Sequence, residues 1–191
     1  MQYFFETGIQ YYVAGRYAAF AGFTPVAGNL LHHALEMFMK GYLSSSLTLE
    51  ELKKQGHHLG ALWRLVKNTN TSGGLDKLDR IVLELDKFER IRYPDSILDA
   101  GMMSMITFED DPVEPTSTQG RPEPVYQVAV RWVDELVEHI FDLSRVNPGF
   151  FTERLNECAK EYLEKGLKAP HSFRCGRRIL CATEAEPNGV K

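Results

Sequence analysis

The sequence has few cysteines, no excess of positive charge and no long apolar segment. Its 191 residues include three cysteines without a Cys-x-x-Cys pair, which argues against a disulfide framework or structural zinc and favours a reducing compartment. The net charge of −4 excludes the global basic field typical of proteins that bind nucleic acid or anionic membranes. Residues 11–23 form the most apolar stretch and include Arg16, and no signal-peptide pattern begins the chain. We therefore expect a soluble cytoplasmic protein with no membrane contact and no cofactor.

Common catalytic and nucleotide-binding signatures are absent as well. The chain contains neither a Gly-x-Gly-x-x-Gly motif nor a phosphate loop, and no segment resembles a nucleophile elbow. Its composition, 43% hydrophobic and 25% charged, is ordinary for a globular domain. Any functional signal must therefore come from local strings of residues.

Helical periodicity dominates the chain. Apolar residues recur at steps of three and four, and Thr48 with Glu51 forms a candidate capping box. The predicted helices cover residues 3–20, 24–43, 48–55, 59–66, 75–92, 125–146 and 150–167. This pattern predicts an all-α fold, an up-and-down bundle of four to five antiparallel helices.

The chain divides into a bundle and its appendages. Residues 1–146 form the predicted bundle, interrupted by a loop over 95–124 that carries seven acidic residues and four prolines. Within that loop, residues 102–108 have the composition of a short extended piece. Residues 147–170 are expected to add a C-terminal helix, and residues 171–191 a flexible tail.

Adjacent histidines occur twice in the sequence, at 32–33 and at 57–58. His32 and Glu36 lie one helical turn apart, so they could present two metal ligands on one face. Neighbouring histidines point about 100° apart on a helix, however, so only one of each pair faces a given direction. We expect these histidines to be satisfied by neighbouring groups or helix ends rather than by a metal.

Two strings offer groups that bind phosphate. A basic turn at residues 53–58 precedes a predicted helix, and it either holds a phosphate or forms a solvated turn in which His57 or His58 caps or packs. Arg92 carries a planar guanidinium that can donate two hydrogen bonds to a phosphate, and Tyr93 carries a ring on which a base can stack. The structural alternative pairs Arg92 with a carboxylate while Tyr93 helps to end the helix.

Three segments in order resemble the HEPN domain (higher eukaryotes and prokaryotes nucleotide-binding). Residues 33–41 are similar to its second-helix Ala-x-Glu-x-x-x-Lys pattern, and residues 54–59 to its Gly-His-x-Leu turn. Residues 92–95, Arg-Tyr-Pro-Asp, are similar to the end of the third long helix in one branch of that family. Together with the helix from Val125, the resemblance covers roughly residues 1–146.

The resemblance implies a helical bundle, often a homodimer, associated with nucleotides, RNA, or stress, defence and toxin–antitoxin systems. Catalytic members are metal-independent ribonucleases that use an Arg-x4-6-His motif. That motif is missing here, because residues 97–99 after Arg92 contain no histidine, and seven residues separate Arg131 from His139.

The expected function is therefore a non-catalytic HEPN-like domain. It would bind a nucleotide, RNA, or a protein partner such as a nucleotidyltransferase. The candidate ligand contacts are Lys40, His57, Arg92, Tyr93 and Asp95. The alternative is a ribonuclease toxin with a rearranged pair, Arg131 with His139 or His57 with Arg92.

Overall fold

The chain is mostly helical, which confirms the all-α prediction. The computed structural model describes residues 1–70, 74–93, 95, 104–108 (backbone) and 125–160. The α-helices are α1 Gln2–Phe20, α2 Thr24–Leu43, α3 Leu49–Lys54, α4 Leu59–Thr69, α5 Asp79–Asp86, α6 Val130–Ser144 and α7 Gly149–Thr152. The 3-10 helices Asp76–Leu78 and Lys87–Ile91 flank α5, and the strands are β1 Ser104–Phe108 and β2 Val125–Ala129. None of the described helices has the length and apolarity needed to cross a membrane.

Helices α1 and α2 form a closely packed antiparallel hairpin. Gly41, near the end of α2, lies against Phe5 near the start of α1, while Gly15, late in α1, lies against Leu31. A third close approach joins α2 to the segment after α5, where a Cβ on Gly28 would stand 2.1 Å from the Phe88 ring. Each of these positions is a glycine, because the side chain packed against it occupies the space that a Cβ would need.

Helix α2 lies at the centre of the fold. It contacts α1, α4, α5 and α6, and its residues Leu31, Leu35 and Phe38 are fully buried. The Phe38 ring packs against Phe5 and Phe141, with ring centroids 5.9 and 5.2 Å away. A polar residue on the inward stripe of α2 is consequently surrounded by packed side chains.

The predicted helix over 125–146 is wrong in its first five residues. Val125–Ala129 is a strand that pairs in parallel with Ser104–Phe108, with Ser104 opposite Val125. The last four residues of this strand are all buried. Apart from the buried Gln127 the strand is apolar, as is typical of a strand covered on both faces, so it resembles the start of the helix that follows. The extended piece predicted at 102–108 is confirmed over 104–108.

Two further predicted helices are less regular than expected. The segment 75–92 is α-helical only over α5, with tighter 3-10 turns on both sides. The predicted helix 150–167 is broken after Thr152 by a turn at 153–155 and resumes at residue 157. Residues 161–167, the tail 171–191 and most of the acidic loop 95–124 lie outside the described residues.

Candidate functional site

Helix α2 places a stripe of polar residues toward the protein interior. Spacings of four residues align His32, Glu36 and Lys40 along one face, and His33 lies beside them. Glu36 is only 1% exposed, although it carries a carboxylate. Lys40 Nζ donates to Glu36 Oε1 at 2.6 Å and to the Gly56 carbonyl at 2.8 Å. Glu36 and Lys40 therefore form an ion pair that also fixes the turn before α4.

The turn between α3 and α4 brings His57 to the same carboxylate. The predicted capping box is confirmed: the Thr48 hydroxyl accepts from the Glu51 amide, and the Glu51 carboxylate accepts from the Thr48 amide. After α3 the chain reverses at Gly56, whose φ of +62° lies in the left-handed region that favours glycine. His57 Nδ1 then lies 3.0 Å from both oxygens of Glu36.

A second imidazole completes this group of side chains. His33 Nδ1 lies 3.3 Å from Glu36 Oε2. We call His33, Glu36, Lys40 and His57 the Glu36 cluster. Because a carboxylate can only accept, Nδ1 of each imidazole carries the hydrogen that is donated.

The Glu36 cluster keeps its carboxylate ionised. Burial alone raises the pKa of Glu36, but hydrogen bonds from the two imidazoles and from Lys40, with the Lys40 charge, outweigh it. The pKa of Glu36 is therefore lowered from 4.5 to about 2. The His57 side chain is 55% exposed, so the cluster is a buried carboxylate with one imidazole at the surface.

Donor atoms from His33, Glu36 and His57 all lie within 4.8 Å of one another. They make this cluster the place among the described residues where a cation could be coordinated. The sequence offers His32 and Glu36 as two ligands on one helix face, but His32 uses its Nδ1 elsewhere, on a neighbouring group as expected. Its Nδ1 lies 3.0 Å from the Leu85 carbonyl and donates to it.

His32 connects the interior to the Arg92 region. Its Nε2 faces Glu89 Oε2 at 3.7 Å, and neither buried atom has a hydrogen-bond partner within the described part of the chain. Burial lowers the pKa of His32, although the Leu85 carbonyl and the Glu89 charge both oppose this shift. The other oxygen of Glu89 lies 3.4 Å from Arg92 Nη1.

Arg92 and Tyr93 lie together at the surface. The Arg92 guanidinium stands 5.9 Å from the centroid of the Tyr93 ring, and Tyr93 is 62% exposed. We call these two residues the Arg92–Tyr93 pair. A cation beside an exposed aromatic ring offers a donor for phosphate and a platform for a base.

A continuous row of side chains joins the two groups. The His32 and His33 ring centroids are 5.6 Å apart, and those of His33 and His57 are 6.3 Å apart. The Glu36 cluster and the Arg92–Tyr93 pair therefore lie in one region of the molecule, although His57 and Arg92 are 35 positions apart in the sequence.

The remaining predicted contacts are placed differently. Lys40 is 9% exposed and bound within the Glu36 cluster, whereas Asp95 is exposed. The first amide of α4, at Leu59, donates to Asp86 Oδ1 at 2.8 Å, so a carboxylate of the protein already occupies this position. On α6, His139 Nε2 lies 3.8 Å from Glu135, which gives the alternative Arg131–His139 pair a carboxylate neighbour.

Sequence reasoning did not place two buried charges among the site residues. Glu36 was not selected as a site residue, although its four-residue spacing to Lys40 on an apolar stripe is a usable signal. Arg16 was noted only as a charge in an apolar stretch, yet it is 0% exposed and forms an ion pair with Asp134 of α6. Tyr12 donates to the same carboxylate at 2.5 Å.

The Glu36 cluster and the Arg92–Tyr93 pair are thus two groups of chemically active side chains that reach the surface of the described chain. The Glu36 cluster joins residues that are 21 positions apart in sequence, so its chemistry depends on the fold, whereas Arg92 and Tyr93 are neighbours along the chain. No family model, no curated protein and no solved structure matches this chain.

Proposed function

We propose that this chain is a non-catalytic, HEPN-like binding protein whose ligand is a nucleotide or single-stranded RNA. The Arg92 guanidinium donates hydrogen bonds to the phosphate of the ligand, and the Tyr93 ring stacks on its base. The observation that carries the proposal is an exposed guanidinium beside an exposed aromatic ring, at the end of the helical segment that packs on α2.

Arg92 is lightly held in the protein. Its polar contact with Glu89, at 3.4 Å, is longer than the roughly 2.7–2.9 Å of a strong charge-assisted hydrogen bond. The side chain is 36% exposed, so a ligand in solution can reach part of it. A phosphate competes well with Glu89 for Arg92, because the planar guanidinium can donate to two phosphate oxygens at once.

Tyr93 supplies the part of the affinity that does not depend on charge. Stacking of a base on an aromatic side chain contributes about 1–3 kcal/mol and tolerates any base. Exposed Asp95, two residues later, provides a carboxylate that can accept from ribose hydroxyls. Lys40 supports this face indirectly, since it holds the Gly56 turn that carries His57.

The test is a calorimetric titration of the purified chain with ATP and with a short single-stranded RNA. We expect saturable binding to at least one of them, weakened about 10-fold or more by Arg92→Ala, which corresponds to about 1.4 kcal/mol. Arg90→Ala, an exposed arginine of the same segment, is the matched control and should leave the affinity unchanged. Absence of saturable binding, or equal affinities for Arg92→Ala and the native chain, would refute the proposal.

The same resemblance leads us to propose a homodimer that works with a protein partner such as a nucleotidyltransferase. Exposed aromatic residues on α1 and the following turn, at Tyr3, Tyr17 and Phe23, support an association surface there. Light scattering should give the mass of two chains, and a monomer at every concentration would exclude the dimer.

The second candidate function is a metal-independent ribonuclease, and one observation favours it. His57 donates through Nδ1 to an ionised, buried carboxylate, so its Nε2 is the proton acceptor of a half-exposed ring. This function predicts RNA cleavage in the presence of EDTA, abolished by His57→Ala and retained by His58→Ala. RNA that stays intact with concentrated protein would eliminate this candidate.

A further inference from the structure

We propose that His33, Glu36 and His57 form a binding site for a zinc-class divalent cation. This inference is independent of the proposed function, because it uses none of the residues assigned to the phosphate or the base. It is carried by the convergence of two imidazole nitrogens on one buried carboxylate oxygen.

Two of the three distances among the donor atoms match a tetrahedral zinc site. Bonds of roughly 2.0 Å in a tetrahedron place neighbouring ligand atoms about 3.3 Å apart. Glu36 Oε2 lies 3.3 Å from His33 Nδ1 and 3.0 Å from His57 Nδ1. Each of the three residues has a donor atom within 4.8 Å of the other two. A small shift of the half-exposed His57 ring would therefore bring the two imidazole nitrogens to the tetrahedral spacing.

The supporting contacts hold the carboxylate in one orientation. Lys40 Nζ donates to Glu36 Oε1 and to the Gly56 carbonyl, which leaves Oε2 as the oxygen facing both imidazoles. Partners that orient a ligand in this way are a regular feature of protein metal sites. The rigid packing of α2 fixes two of the three ligands before a cation arrives.

The ligand set selects the class of cation. Two imidazoles and one carboxylate favour zinc and its neighbours over magnesium or calcium, which prefer oxygen ligands. Three protein ligands leave a fourth position for water, and the exposed side of His57 gives access to it. Each imidazole binds the cation in its neutral form. Its hydrogen then lies on Nε2, and Nδ1 is free to coordinate.

Lys40 is the group that opposes a cation. Its ammonium lies 2.6 Å from Glu36 Oε1, so a bound dication experiences its repulsion. Because Lys40 also orients Glu36 and holds the Gly56 turn, its replacement would change both effects at once, and substitution of the imidazoles is the direct test of the site.

The experiment titrates the EDTA-treated and dialysed full-length chain with Zn²⁺ by calorimetry and with Co²⁺ by visible absorption. We expect one site per chain and the intense visible bands of tetrahedral Co²⁺. His57→Ala and His33→Ala should each weaken binding at least about 10-fold. His57 is half-exposed, so its replacement should leave the fold intact, and circular dichroism checks this.

His58→Ala is the matched control, because it removes the neighbouring exposed histidine, which has no part in the cluster. Unchanged zinc affinity in His58→Ala, together with the losses above, supports the site. Absence of zinc binding, or binding that His57→Ala does not weaken, overturns the proposal; the second result would place the cation elsewhere in the chain.

Discussion

At the scale of single residues, the chain depends on charges that are buried and paired. Arg16 is 0% exposed and reaches Asp134 across the interface between α1 and α6. Burial raises the pKa of Tyr12, and the nearby Asp134 charge raises it further, so this phenol stays protonated and donates to the carboxylate. The Arg16 guanidinium also packs on the rings of Tyr12 and Phe20.

Removal of the Asp134 carboxylate should destabilise the protein strongly. Asp134→Ala leaves Arg16 buried without its counter-ion, which typically costs about 3–5 kcal/mol of unfolding free energy. Urea denaturation followed by circular dichroism measures this loss. Glu135→Ala is the control: its carboxylate pairs with Lys77 at the surface, and such a pair contributes at most about 1 kcal/mol. Equal effects of the two substitutions would contradict the role assigned to Asp134.

At the scale of elements, sequence patterns predicted the long helices well. The extents of α1 and α2 and the capping box of α3 follow from local signals and are confirmed, although Tyr17 and Val26 of the predicted apolar stripes are exposed. The strand Val125–Ala129 was missed because its partner, Ser104–Phe108, is distant in sequence and nothing in a buried apolar run reveals such a pairing. Irregular turns around α5 were missed because 3-10 segments share the apolar spacing of an α-helix.

The crossing of α2 with the segment after α5 gives a prediction about packing. A Cβ at residue 28 would lie 2.1 Å from the fully buried Phe88 ring, so Gly28→Ala forces the two elements apart. Overpacking of this kind costs about 1–3 kcal/mol, more than the gain of roughly 1 kcal/mol in helix propensity. We therefore expect a lower melting temperature.

Gly60→Ala is the matched control for this substitution. Residue 60 lies in α4, where a Cβ would meet its nearest neighbour, Asp86 Oδ2, at an ordinary contact distance of 3.5 Å. Alanine there should leave the melting temperature unchanged or raise it. If Gly28→Ala also proves neutral, the close approach of α2 to Phe88 is not present in solution.

At the scale of the whole molecule, the Glu36 cluster couples acidity to global stability. The pKa of Glu36 is about 2 in the folded chain, below its ordinary value of 4.5. The folded state therefore gains stability from this carboxylate above pH 4.5 and loses it as the pH falls from 4.5 toward 2. Denaturation midpoints across this window should fall less steeply in Glu36→Gln than in the native chain.

Glu50→Gln, at an exposed position of α3, is the control for this measurement. It should follow the pH dependence of the native chain. An acid response of Glu36→Gln as steep as that of the native chain would show that the Glu36 cluster does not act in this way.

The candidate site was predictable in its parts but not in its assembly. His57 and Arg92 could be selected from their strings, because a basic turn and an arginine beside a tyrosine carry recognisable chemistry. That His57 meets Glu36, and that His32 and His33 join this cluster to the Arg92 region, follows from how α2 packs against two other segments. How these segments pack depends on contacts throughout the core. It cannot be predicted from the spacing of residues within one segment.

The most direct measurement of the central claim is a backbone amide NMR titration of the isotope-labelled chain with ATP. Binding at the Arg92–Tyr93 pair predicts that the largest shift changes fall on the amides of residues 89–93, with smaller changes at the amide of His32, whose ring faces Glu89. Saturable changes confined to another surface, or no changes at all, would contradict the account.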